Sequence, residues 1–256
     1  MFNKSRILLL SLFFSVPAYA AGPLITDDTG TQGKGKYQIE LNYAAGVTKT
    51  DSGQELSTTL SRGIVDNVDV VVGLPYNWNP FTEEGRPIAI QQGISDMSVE
   101  IKWRFLDTSK ENGVSLALKP GITLPTGNAK KGLGNGEISE GVMFIATKEW
   151  QHGAFHCNIG YTNTAYSLEE DSEALRSSLW HASIATEINM MKNLRSVADI
   201  GIDTDTVKAS NTHPVYIIGG VIYSVNEHLD LDIGFKGGLN NTAPQATFLS
   251  GMTIKF

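Results

Sequence analysis

The residues best equipped for chemistry lie in two short stretches, His156-Cys157-Asn158 and His181-Ala182-Ser183. In a chain that alternates with a period of two, His156 and Asn158 share one face while Cys157 takes the other, and His181 and Ser183 likewise share a face. If the two stretches are neighbouring strands, a serine, a histidine and an asparagine come within reach of each other. An esterase uses such a set: the imidazole takes the hydroxyl proton while a polar partner holds the ring. No stretch resembles the phospholipase signature around a nucleophilic serine, however, and the expectation is that the protein is not an enzyme. Cys157 is the one cysteine and reads as a small apolar filler. No internal disulfide follows from a single cysteine. No group has metal-ligand spacing either, so no metal or cofactor is expected.

The charged residues carry more information. Met97, Val99, Ile101, Trp103 and Phe105 fall on one face of a strand, and Asp96, Ser98, Glu100, Lys102 and Arg104 on the other. Four charges backed by an unbroken apolar row require water on one side and hydrocarbon on the other. Tyr37, Ile39, Leu41, Tyr43, Ala45 and Val47 oppose Gln38, Glu40, Asn42 and Thr48. Leu229, Leu231, Ile233 and Phe235 oppose Asp230, Asp232 and Lys236, and Trp180, Ala182, Ile184 and Ile188 oppose His181, Ser183, Glu187 and Asn189. The polar faces together present Glu40, Asp96, Glu100, Lys102, Arg104, Lys119, Glu187, Asp199, Asp203, Asp230, Asp232 and Lys236. These are the candidate lining residues of a polar interior.

The strands that must position them are expected at 36–48, 54–65, 68–77, 94–106, 113–124, 140–149, 154–166, 178–190, 195–205, 214–225, 229–239 and 246–256. A soluble sandwich alternates in the same way, but its strands usually run about five or six residues. A tilted strand crossing a bilayer needs about nine to eleven, which fits these lengths better. The joins at Asp66-Asn67, 107–112, 151–153, 191–194 and 226–228 are tight. Those at 78–93, 125–139, 167–177, 206–213 and 240–245 are longer and rich in Gly, Pro, Asn or acidic residues. Short turns at one rim and long loops at the other mark an outer-membrane barrel; the short first outer join, 49–53, is an exception. The fold expected is therefore all-β, a transmembrane antiparallel up-and-down β-barrel of about twelve strands. Residues 140–149 alternate poorly, because Met143 and Ile145 compete with Val142 and Phe144.

Residues 1–20 read as a secretory signal. Lys4 and Arg6 precede the apolar run from Ile7 to Val16, and Ala18-Tyr19-Ala20 offers small residues where a signal peptidase cuts. Removing them leaves 18 basic residues against 27 acidic, a net charge of about −9. So acidic a chain is a poor partner for nucleic acid. Residues 21–35 are Gly-rich and polar, and read as a flexible segment ahead of a barrel over 36–256. At the other end Phe256 shares a face with Phe248, Met252 and Ile254. A lipid-facing last strand that ends in an aromatic residue resembles the signal read by the bacterial barrel-assembly machinery.

Several segments resemble one family of Gram-negative outer-membrane proteins, described as "putative MetA-pathway of phenol degradation" and often called transporters. They are Asp28-Thr29-Gly30-Thr31, Gly33-Lys34-Gly35, Gln38-Ile39-Glu40-Leu41-Asn42, Gly73-Leu74-Pro75-Tyr76, Gly93-Ile94-Ser95-Asp96-Met97, Lys102-Trp103-Arg104-Phe105, the stretch from Lys119 to Gly127, and Gly132-Leu133-Gly134-Asn135-Gly136. The resemblance implies an outer-membrane barrel and a loose association with uptake of aromatic or apolar compounds.

The expected function is a channel or porin-like transporter for small solutes, with outer-membrane lipid around it. A lipid hydrolase and a structural barrel with a plugged lumen are the alternatives. The lining charges either select solutes or pair to close the interior. Lys102, Arg104 and Lys119 are expected to form one positive ladder, and Asp199, Asp203, Asp230 and Asp232 a negative wall facing it.

Overall fold

The structure, a computed structural model, describes residues 22–47, 52–83, 86–111 and 113–256. The strands are β1 (Tyr37–Val47), β2 (Ser52–Val65), β3 (Val68–Glu83), β4 (Arg86–Ile94), β5 (Met97–Leu106), β6 (Ser115–Leu124) and β7 (Ser139–Trp150). They continue with β8 (Gly153–Asn163), β9 (Ser178–Met191), β10 (Leu194–Asp203), β11 (Val215–Asn226), β12 (Leu229–Gly238) and β13 (Ala246–Lys255). Among the described residues one short α-helix, α1 (Glu169–Ala174), lies in an outer loop. The sheet closes on itself as a 12-strand antiparallel barrel: consecutive strands pair, except that β4 and β5 both pair with β3, and β1 meets β13 with Gln38 opposite Lys255. Closure leaves no edge within the wall, which is what lets strands cross a bilayer.

The extra strand lies in a place where an irregular loop was expected. Residues 78–93 extend β3 to Glu83 and return as β4, with Tyr76 opposite Ile94. β4 and β5 then lie one after the other along the same edge of β3, since Ser98 of β5 stands opposite Gly73. They therefore occupy a single place in the wall. Pro80 and Pro87 made this hairpin read as a loop. Beyond Trp78, however, no pairing of β3 with β2 is described, and β4 is paired with β3 alone. A proline is tolerated where a strand needs no second partner.

The outer face follows the alternation. Ile101, Trp103 and Phe105 are exposed while Lys102 between them is 8% exposed. Aromatic contacts collect towards both rims: Trp103–Phe105 and Trp150–Phe155 at the tight-turn end, Tyr76–Trp78 and Tyr161–Trp180 at the long-loop end. These are the girdles of a membrane barrel. β7 explains its own poor alternation. Val142 and Phe144 face outwards, while Met143 and Ile145 are buried inside with Ala117. Both faces are apolar there because the lumen has an apolar patch.

Candidate functional site

The interior is divided by the N-terminal segment. Residues 22–35, expected to be flexible, instead cross the lumen as a hydrogen-bonded strap before entering β1. Pro23 packs against Gly220 and Gly234, where any Cβ would meet the proline ring at 2.6–2.8 Å. Leu24 is buried with Ala185, Val197 and Ile222. The Ile25 and Thr26 amides both donate to Asp199 Oδ2 at 2.8 Å. Thr29 N donates to Thr147 Oγ1, Gln32 N to Asp69 Oδ2 and Lys34 N to Asp66 Oδ1. The strap has no strand period for a sequence reading to detect. Its order comes from side chains more than thirty to 170 residues away.

Asp27 is the centre of this layer. Lys102 Nζ lies 2.9 Å from one of its carboxylate oxygens and Lys119 Nζ 2.7 Å from the other. Lys102 also lies 3.6 Å from Asp28, and Lys119 3.9 Å from Glu100. Assigned from its neighbours, the Asn158 amide accepts from Asp27 N at 2.7 Å and donates to Asp27 O at 2.9 Å. All these groups except Asp28 are largely out of water, so each charge needs its partner.

The predicted lining residues therefore lie inside, but not as two opposed walls. Lys102 and Lys119 converge on Asp27, whereas Arg104 turns to Asp107 at 3.4 Å near a tight turn. The ladder is split. The acidic wall is mostly engaged as well: Asp199 holds strap amides, Asp203 holds His181 Nδ1 at 2.7 Å, and Asp230 lies 2.8 Å from Lys255 and 3.3 Å from Arg195. Arg195 also reaches Glu187 at 2.7 Å, and His156 approaches the same carboxylate at 3.7 Å. Glu40 is buried and accepts from Gln38, and Lys236 Nζ sits 4.2 Å above the Tyr216 ring. Asp232 faces no cation among the described residues. Asp96 lines the cavity on the long-loop side and is engaged too: it precedes β5 and accepts from Gly127 N at 2.8 Å and Asn135 N at 2.7 Å, holding an outer loop inwards.

Sequence reasoning missed Asp27, Asp69, Glu55 and Arg195. The alternation around Val68-Asp69-Val70 was signal enough for Asp69. Nothing local marks Asp27, whose partners are 75 and 92 residues away.

On the long-loop side of the strap lies a cavity of about 1050 Å³. Asn77, Gln91, Glu100, Lys119, Tyr166 and His181 are among its lining residues. In the loops around it, burial and then the Asp171 carboxylate push the Tyr166 phenol up to about 12. Arg176 ties the loop over 205–210 down through the carbonyls of Asp205, Val207, Lys208 and Ser210.

The esterase-like residues meet in part. His181 Nε2 is 2.9 Å from Ser183 Oγ, with Asp203 on the other ring nitrogen. Thr26 Oγ1 caps Ser183 at 2.7 Å. His156 belongs instead with Thr147 and Glu187.

Residues 20–256 match the family model described as "Putative MetA-pathway of phenol degradation". The chain belongs to this family. No curated protein sequence matches it. Among solved structures, this family member is similar to an outer membrane channel from Pseudomonas putida F1, with 11% identity, a TM-score of 0.67, and coverage of 90% of this chain and 98% of that one. It is also similar to the NanC porin (10% identity, TM-score 0.59, coverage 86% and 100%). A third likeness is to the KdgM porin in complex with oligogalacturonate (7%, 0.52, 86% and 99%). At these identities the likeness is one of fold, an outer-membrane-type barrel.

Proposed function

We propose that this protein is a channel for small solutes in the outer membrane of a Gram-negative bacterium, inserted by the barrel-assembly machinery through the signal ending in Phe256. Carboxylated solutes, aromatic ones included, are its preferred cargo. The observation that carries the reading is the cavity of about 1050 Å³, lined by both polar and apolar side chains, whose lining includes Lys119. Lys119 and Lys102 already grip a carboxylate, that of Asp27. A solute with one carboxylate and an apolar body presents the same chemistry to Lys119, against a cavity wall that carries Met143 and Leu179. The strap of residues 22–35 narrows the path below.

Liposome swelling with aromatic acids, sugars and amino acids tests this reading. Carboxylates are expected to enter faster than sugars of similar size, and the combined variant D27N/K102Q/R104Q/K119Q, which leaves no buried Asp27 carboxylate without its cations, to lose that preference while still folding. No swelling and no conductance in planar bilayers, with or without residues 22–34, would leave the plugged structural barrel in front.

One observation favours a second reading. Ser183, His181 and Asp203 stand in the order of a hydrolytic triad, at 2.9 and 2.7 Å. Thr26 Oγ1 donates to Ser183 Oγ at 2.7 Å and so engages the hydroxyl that would have to attack, which places the hydrolase behind the channel. Labelling of Ser183 by a fluorophosphonate in detergent, abolished by His181→Ala, would reverse that order.

A further inference from the structure

We infer that the floor of the large cavity is a receptor for the head group of an α-amino acid with an apolar side chain. The inference rests on the channel reading in taking this cavity as the solute's station. It narrows the carboxylated class to solutes that bring their own cation. Strand pairing lays two adjacent rows across the floor. In one, Glu100 stands opposite Gly121 and Gly121 opposite Gly141. In the other, Lys119 stands opposite Met143 and Met143 opposite Gly160. All six residues line the cavity. The charged pair forms one end of the floor. Glu100 leans across β6, since a Cβ on Gly121 would fall 2.5 Å from its Cγ, and its carboxylate reaches to 3.9 Å from Lys119 Nζ. Beside the pair the wall is a bare shelf at Gly121, Gly141 and Gly160, with Met143 as its apolar surface.

The charges in this corner decide what kind of carboxylate suits it. Among the described residues, the ammonium groups of Lys102 and Lys119 meet three carboxylates, those of Asp27, Asp28 and Glu100, at 2.7 to 3.9 Å. The corner already holds an excess of negative charge. A simple carboxylate drawn to Lys119 adds another, where little water is present to weaken the repulsion. Glu100 is also unsatisfied: its Oε2 is shut off from water, accepts no hydrogen bond and has one long contact, to Lys119. An ammonium group gives that carboxylate its donors and cancels the charge of the solute's own. An α-amino acid carries both groups on one carbon, facing a glutamate and a lysine that stand side by side. Its side chain then lies along the glycine shelf against Met143. An α-hydroxy acid offers the donor without the charge, and a simple carboxylate offers neither.

Equilibrium dialysis of protein purified from membranes in detergent, measured against empty micelles, compares three solutes of one skeleton: phenylalanine, 3-phenyllactate and 3-phenylpropanoate. Phenylalanine is expected to bind about tenfold more tightly than 3-phenylpropanoate, the effect of one hydrogen bond between charged groups, with 3-phenyllactate between them. Equal binding of phenylalanine and 3-phenylpropanoate, or no binding of phenylalanine, overturns the proposal. Glu100→Gln keeps the shape of the site and should bring phenylalanine down to the level of 3-phenylpropanoate; an undiminished preference overturns the proposal too. Where Glu100→Gln gives no heat-shifted band on gels and so has not folded, Gly160→Val tests the shelf instead. A Cβ there meets its neighbours at 3.5 Å or more, an ordinary contact. This variant is expected to weaken phenylalanine about tenfold and to leave free alanine unchanged; equal effects on both overturn the proposal. Liposome swelling keeps the two readings apart. Entry of carboxylates without phenylalanine binding removes the head-group site and leaves the channel. Phenylalanine binding without swelling supports the site and removes the channel.

Discussion

The lumen has two layers built by the same alternation, and they have opposite characters. At the level of the strap, Lys102, Lys119, Asp199 and Asn158 all spend their polar atoms on residues 25–29, and the layer is packed. Towards the long loops the same strands leave a cavity of about 1050 Å³. The difference lies in what stands opposite each wall, since the wall residues are similar in kind. A narrow barrel has room for either one crossing segment or a solute, and the N-terminal segment takes the room in one layer only. Inward charges are thus no sign of an open path by themselves. Whether they pair within the protein decides it.

The contrast breaks most readily at Asp27. Asp27→Ala would leave two buried ammonium groups facing each other, and losing one partner of a buried pair costs about 3–5 kcal/mol. Urea titration in detergent should show a loss of that size. Removing the cations as well, in D27A/K102Q/K119Q, should restore most of it. A loss below about 1 kcal/mol for Asp27→Ala would mean that the packed layer is not held by its charges.

Inside and outside differ in what an added charge costs. Ile101→Arg or Ile233→Arg puts a charge on the lipid face at a cost of about 2–4 kcal/mol near the midplane. Ser98→Arg and Thr123→Arg, beside the cavity, should fold and keep the heat-dependent gel shift. Equal damage in both classes would overturn the assignment of faces.

These predictions rest unevenly on what the sequence made visible. The wall was legible because lipid and water enforce a period of two along strands such as Met97–Leu106. The β3–β4 hairpin was not, since its prolines speak locally for a loop and only the missing second neighbours make a strand acceptable. Within the site, the inward placement of Lys102, Lys119 and Asp199 followed from alternation, but their partners did not. Asp27 meets Lys102 only because a segment without periodicity folds back across the barrel, and local pattern carries no record of such a contact. Over the described residues 22–35 the flexible reading failed for that reason, and the ladder of three cations failed with it.

The smallest expected effect sharpens the contrast furthest. Arg104 shares a face and a strand with Lys102, yet its partner Asp107 is 3.4 Å away and nearly half exposed. A pair so open to water is screened and contributes about 0–1 kcal/mol. Arg104→Gln should therefore change neither the urea midpoint measurably nor the preference for carboxylates in liposome swelling. Lys102→Gln, two residues away, removes one of the two cations on Asp27 and should lower both. The two substitutions alter the same charge at neighbouring inward positions, so total lumen charge cannot explain a difference between them. Matching effects would mean that the interior acts through its summed field, and the two layers would lose their separate roles. Different effects would assign selectivity to the pair of lysines that close on a carboxylate.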